Sequence, residues 1–436
     1  MFFKVYFVIA YLLLLASGLP LSAHREPPER LEKLNRRSKD HSIDSTLLLG
    51  TYEKLNHKRD ILALDNLRNF KPKLVTDKFQ LLSPVRDPKE VYQTILYNLF
   101  NLYWDGSEGN WRNKCGASET PVVWSVAVAL RAISNSGNFG TSQQINDILS
   151  ALNKYKLNTL EGAYSALTAQ DSDVYNDDVS QVSWVFTDVL GSYQSLLQLG
   201  YNANDLINYL GTQVNPQVGG ITWKCRLPYV SSILTLEAAL AAVRYYEINS
   251  EPSLLTFAIY NLNWVFNNLL EPDTCFIYDG MSADTHGVNK GKLTYTIGTA
   301  ISTMAYLSKY DSSYDWKSIA LGFALKALSN GTCDNQFFHS DGADVGILND
   351  SLDHSHLLFA GLADLLELTS PASEYESQAY QMFRDFVQRQ VRHLYEKYLN
   401  SDIYIGSACP STLSALLDFG SLVQIFQDAS RVVDGI

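Results

Sequence analysis

The chain of 436 residues is 46% hydrophobic and 18% charged, with 26 Tyr and 7 Trp, which suits one large packed domain and excludes a disordered tail or a fibre. Its formal net charge is −12, unevenly divided: residues 24–86 hold 14 Lys and Arg against 9 Asp and Glu, so the remainder is more acidic still. That sign is wrong for nucleic acid, and neutral or basic partners are expected instead.

In chain order, MFFK followed by VYFVIAYLLLLASGL is a short basic start and an apolar run of about 15 residues. Small-residue cleavage sites follow at Ala16-Ser17-Gly18 and Leu21-Ser22-Ala23. Residues 1–23 are expected to form a secretory signal peptide; the alternative, an uncleaved anchor, falls short of the roughly 20 apolar residues a span needs. No later segment reads as a span, so none is expected after signal removal. The C-terminal QIFQDASRVVDGI lacks a glycolipid-anchor tail and a lumenal retention tetrapeptide, so the expected location is outside the cell or in a wall. Residues 24–86 are charged and poor in aromatics, with Arg36-Arg37 and Lys58-Arg59. They read either as a propeptide cut after Arg59 or as a flexible linker.

From residue 87 to 436 the pattern repeats. Amphipathic helices are predicted over 89–104, 141–156, 204–212, 252–270, 314–328 and 373–399. Each is followed, after a long loop, by a nearly uncharged segment: PVVWSVAVAL from Pro121, VSQVSWVFTDVL from Val179, YVSSILTLEAALAAV from Tyr229, LTYTIGTAISTMAYL from Leu293, HLLFAGLADLL from His356 and STLSALLDFGSLV from Ser411. A helix apolar all round is buried on every side, whereas one with a polar face lies outside. Six outer and six inner helices predict an all-α fold, an (α/α)6 toroid, repeating irregularly every 50 to 60 residues or so. Every long loop joins an outer helix to the start of an inner one, so all six open on one end. Unstructured loops longer than about 12 residues are uncommon unless functional, which makes that end the candidate site.

Cys115, Cys225, Cys275, Cys333 and Cys409 each occupy a different loop, and an oxidising compartment would allow at most two disulfides among them, in 15 arrangements that the sequence leaves open. Asn330 and Asn349 head glycosylation sequons in the fifth loop.

The second loop, QDSDVYNDDVSQVSW, places Asp177 and Asp178 at the start of an inner helix with Trp184 further along it. Cleaving a glycosidic bond needs one carboxylate and one carboxylic acid, and neighbouring aspartates can supply both. The helix N-terminus favours one ionised form, and repulsion raises the pKa of the other. The plain alternative is a helix cap of Asn176 and two acids. The third loop adds Gly219, Gly220 and Trp223, the fourth Asp279 followed by Tyr295, and the first Trp104, Trp111 and Trp124, aromatics whose faces suit sugar rings. No cofactor or metal is expected. Asp171, Asp173 and Asp177 resemble a calcium loop, but Asn176 and Val182 stand where its Gly and Glu belong. His354 and His356, two apart, do not share a helix face, so capping or hydrogen bonding is the better reading.

The order of these motifs from about residue 90 to 425 resembles glycoside hydrolase family 76, the bacterial α-1,6-mannanases and related fungal cell-wall proteins. The resemblance rests on Tyr175-Asn176-Asp177-Asp178 with Trp184, Gly219-Gly220 with Trp223, Val243 to Tyr246, and Tyr278-Asp279-Gly280. It implies an (α/α)6 barrel and a retaining reaction on α-mannose chains, with Asp177 as nucleophile and Asp178 as acid/base, or the two roles exchanged. Together with Trp111 and Trp124 of the first loop, it gives an expected glycan-binding set that adds Tyr175, Trp184, Gly219, Gly220, Trp223, Asp279 and Tyr295. The chain departs from the family where Thr-Tyr-Asn-Gln-Gly becomes Thr294-Tyr295-Thr296-Ile297-Gly298, around Val230-Ser231-Ser232, and at His356-Leu357-Leu358. Three readings therefore stand: a secreted hydrolase or transglycosidase acting on α-mannose glycans, an impaired glycan-binding relative, and an α-toroid enzyme of another family.

Overall fold

The computed structural model describes residues 62–74, 86–137, 139–160, 162–168, 173–193, 200–225, 227–271, 276–328, 346–399, 409–410 and 412–436. The expected signal peptide, both basic pairs, Asp171, Cys275, Cys333 and Asn330 lie outside the described residues.

A short helix, α1 (Leu62–Arg68), comes first. The outer helices then form where the amphipathic pattern places them: α2 (Pro88–Tyr103), α4 (Ser142–Leu149, extended by a 3-10 turn over Ser150–Lys154), α6 (Gly200–Thr212), α8 (Pro252–Leu269), α10 (Trp316–Leu328) and α12 (Glu374–Tyr398). Local signals start several of them. Asp87 accepts the Lys89 N–H ahead of Pro88, and Thr141 and Gln144 close a capping box. In α2, Val91, Ile95 and Leu99 make one buried stripe at helical spacing.

The inner helices are α3 (Val123–Ser134), α5 (Asn176–Ser192), α7 (Ser232–Asn249), α9 (Thr294–Leu307), α11 (Leu352–Leu368) and α13 (Leu416–Val432). Each packs on the next, and α13 packs back on α3, which closes an (α/α)6 toroid. A two-stranded hairpin, β1 (Trp104–Asp105) and β2 (Asn110–Trp111), follows α2. One boundary differs from expectation: Tyr229, Val230 and Ser231 continue the apolar pattern of α7 but form strand β3 (Tyr229–Ser231) instead. With β4 (Gly280–Ser282) and β5 (Val288–Asn289) it makes an antiparallel sheet that ties the third loop to the fourth.

None of the inner helices has a side-chain cap on its N-terminus. The orphan N–H groups that a helix start leaves are met by neighbouring loops. Val123 N–H donates to Ala166 O, Asn176 N–H to Trp223 O and Ser232 N–H to Asp279 O. Thr294 N–H donates to the Asp350 carboxylate. At the seam Leu416 N–H donates to Asn113 O, beside a disulfide between Cys115 and Cys409. Long loops are thus what the helix starts require as well as what carries the site.

The inner helices are buried along most of their length, yet polar side chains line one stripe of them. On α5, Asp177, Gln181, Trp184 and Asp188 fall three or four residues apart and share one stripe. Asp188 is ion-paired with Arg131 of α3 and Arg244 of α7, and Asp364 of α11 with Arg431 of α13. Near the C-terminal ends of these helices a cavity of about 170 Å³ is lined by Arg131, Trp184, Arg244, Tyr306, Asp364 and Arg431. Helix α1 is docked: Leu64 and Leu67 are buried, and Gly322 of α10 leaves no room for a Cβ against the Leu67 backbone. Among the described residues no helix is long and apolar enough to cross a membrane.

Candidate active site

The second, third and fourth loops and the start of α9 meet around Asp177 and Asp178. Tyr175 ends a short extended segment paired with Lys224, and α5 begins at Asn176, whose side-chain amide donates to Thr222 O at 2.6 Å. This pins the start of α5 to the Trp223 segment, which the Gly219-Gly220 turn brings back from α6. Both glycines have positive φ, 76° and 68°. Trp223 then stacks obliquely on Tyr175, ring centroids 5.2 Å apart. Its indole N–H donates to Asp177 Oδ2 at 3.3 Å.

Asp177 Oδ1 also accepts the Asp178 N–H at 3.1 Å. Burial lifts the Asp177 carboxyl to about 6, and those two donors hold it from going higher. Asp178 is 7% exposed; burial, then the charge of Asp177, pushes its carboxyl well above the usual carboxylate range. At neutral pH the pair therefore presents a carboxylate with two donors beside a carboxylic acid, which is the pairing that glycosidic chemistry needs.

Across the pocket Asp279 accepts from Tyr229 Oη at 2.6 Å, Asn289 Nδ2 at 2.8 Å and Tyr295 Oη at 3.5 Å. Burial, then the charges of Asp279, Asp177 and Glu237, raises Tyr295 well above an ordinary phenol, which sets all three acids around its hydroxyl. Behind it the His354 ring meets Tyr295 edge-on at 5.0 Å. Burial opposes a charge on His354, but the Asp350 carboxylate on Nδ1 outweighs it and raises the pKa. His356 is fully buried, its Nδ1 on Leu352 O at 3.3 Å.

Of the residues singled out in the sequence, Asp177, Asp178, Tyr175, Trp223, Asp279 and Tyr295 come together, and Trp124 is half-buried in the first turn of α3. Four others do not offer a face to a glycan. Trp184 is fully buried and its indole N–H is spent on Glu237 O at 3.2 Å. Trp111 is 2% exposed, packed edge-on against Trp104 and Phe100. Gly219 and Gly220 lie against the Trp264 ring, where a Cβ would collide, so they shape the turn. Asn349 is exposed; Cys225 is a free thiol. Sequence reasoning missed Tyr229, Lys224, Asn289 and Glu237. Glu237 left a trace, as the only acid in the apolar segment of α7.

No curated protein matches the chain. Among solved structures, one is an inactive α-1,6-mannanase from Salegentibacter sp. HEL1_6, with two consecutive aspartates changed to asparagine and α-1,6-mannotriose bound. It superposes with a TM-score of 0.65 at 18% identity, over 80% of this chain and 100% of that one. An α-mannanase from Bacteroides thetaiotaomicron gives 0.64 at 14% identity, over 79% and 96% of the two chains. Dfg5 from Chaetomium thermophilum, in complex with glucosamine, gives 0.58 at 11% identity, over 81% and 92%. These likenesses speak to the fold, but the sequence model of glycosyl hydrolase family 76 matches residues 87–400, well over half of the chain, and the chain belongs to that family.

Proposed function

We propose that the protein is a secreted glycosidase or transglycosidase acting on α-1,6-linked mannose chains of a wall or glycoprotein. The observation that carries this is the aspartate pair itself: one carboxyl held near 6 by two donors, the other kept protonated by burial and by its neighbour. In this reading Asp177 attacks the anomeric carbon while Asp178 gives its proton to the departing oxygen. Asp178 then takes a proton from the incoming water or sugar hydroxyl, and the bond to Asp177 breaks with overall retention. Two consecutive aspartates are also the positions changed in the inactive mannanase that holds mannotriose. Tyr175, Trp223 and Tyr295 supply aromatic surface, and Asp279, fixed by Tyr229 and Asn289, supplies an acceptor for sugar hydroxyls.

A second reading, a glycan-binding relative without turnover, draws on Thr296 and Ile297, which stand where the resemblance expects two amides and are both buried. Product analysis separates the two. Residues 60–436 and the Asp177→Asn/Asp178→Asn variant are incubated with linear α-1,6-manno-oligosaccharides. Shortened or rejoined chains from the parent alone support the enzyme, whereas binding without products from either moves the assignment to the second reading.

A further inference from the structure

One turn below the aspartate pair the site contains a third acid. Gln181, on the same stripe of α5 as Asp177, donates from Nε2 to Glu237 Oε1 at 2.7 Å. Glu237 is 3% exposed, and its Oε2 has no hydrogen-bond partner among the described residues. Its main-chain oxygen takes the Trp184 indole N–H, which fixes α7 against α5 at this level. The charged and titratable groups facing it are Asp177 and Asp178 from α5, Arg131 from α3 and Tyr295 from α9. Arg131 is committed to Asp188, at 3.1 Å. Among the described residues no cation is paired with Glu237, and a buried carboxyl without one keeps its proton.

We propose that Glu237 is a positioning residue of the site, a third carboxyl that holds a proton beneath the aspartate pair so that Asp177 alone carries the local negative charge. The inference rests on the reading of the pair as nucleophile and acid. Burial, then the charge of Asp177, pushes Glu237 well above the carboxylate range, in agreement with the geometry. While neutral, Glu237 leaves the ionisation of Asp177 unopposed. Once the Asp178 proton is gone, the charge of that carboxylate adds to that of Asp177 in holding the proton on Glu237.

Infrared titration of the carboxyl C=O stretch in the full chain tests this without substrate, so its failure is distinct from failure of the mannanase reading. At pH 8, where Asp428, pushed up to about 6 by burial, is ionised, the parent should show a protonated-carboxyl band lost in Glu237→Gln and another lost in Asp178→Asn. In Asp178→Asn the Glu237 band should disappear at a pH about one unit lower than in the parent. An unchanged spectrum in Glu237→Gln, or an unmoved Glu237 titration in Asp178→Asn, overturns the proposal. If Glu237→Gln does not fold, Asp178→Asn decides alone: it must keep one protonated band at pH 8, and losing all of them overturns the idea. A merely structural role would move the melting temperature in Glu237→Gln without removing a protonated-carboxyl band.

Discussion

Asp177 is half-buried, and burial lifts its carboxyl from 3.8 to about 6. The native state therefore binds more protons than the unfolded chain between those values, and stability is fullest below about pH 4 and falls as pH rises through about 6. Asp178 and Glu237 are raised as well and act with the same sign. The site thus works against the fold at the pH where one acid is charged. Asp177→Asn/Asp178→Asn should be more stable than the parent at pH 7, by about 1 to 3 kcal/mol, with the gap closing toward pH 4. Turnover should fall about a hundredfold to ten-thousandfold. A variant less stable than its parent at pH 7, by calorimetry across that range, would contradict the assignment. Asp279 gives a milder case. Tyr229→Phe removes the 2.6 Å donor, so titration calorimetry should show mannan oligosaccharide binding weakened about tenfold with the melting temperature little changed.

The crossing of α9 and α11 is tight: a Cβ on Gly298 would collide with the Leu357 carbonyl and one on Gly361 with the Gly298 carbonyl. Gly298→Ala must push the helices apart, and a loss of about 3 kcal/mol is expected from denaturant unfolding. An unchanged midpoint would show that the crossing has slack. Such detail is where legibility in the sequence ends. The twelve toroid helices are readable because burial on one face or on all faces writes itself into every turn. Strand β3 is not, because Tyr229-Val230-Ser231 is as apolar as the helix it precedes, and only its pairing with Gly280, Met281 and Ser282 makes it a strand. Asp177 and Asp178 are legible as a motif. Trp184 misleads because it sits seven residues on, about 10 Å down the helix and below the pocket. Glu237 is hidden because its partner Gln181 is 56 residues away.

At the scale of the whole molecule, a ring of six helix pairs must be sealed where chain end meets chain start, and four kinds of contact converge there. Helix α13 packs on α3 and α2. Tyr103 Oη donates to Leu413 O at 2.7 Å. The backbones of Arg86 and Ile436 exchange hydrogen bonds, and Cys115 is joined to Cys409 across 294 residues. A crosslink closing so long a loop restricts the unfolded chain strongly, and losing it typically costs about 2–5 kcal/mol. The acids of the site, however, come from α5, α7 and the loop that leads into α9, away from the seam. Cys115→Ser should therefore lower the unfolding free energy by about that amount while leaving turnover, measured well below the transition, within about threefold of the parent. Reductant should bring the parent down to the level of the variant and leave the variant unmoved. A parent indifferent to reductant would show that helix packing alone seals the ring, and a variant that is stable but inactive would place the seam in contact with the site.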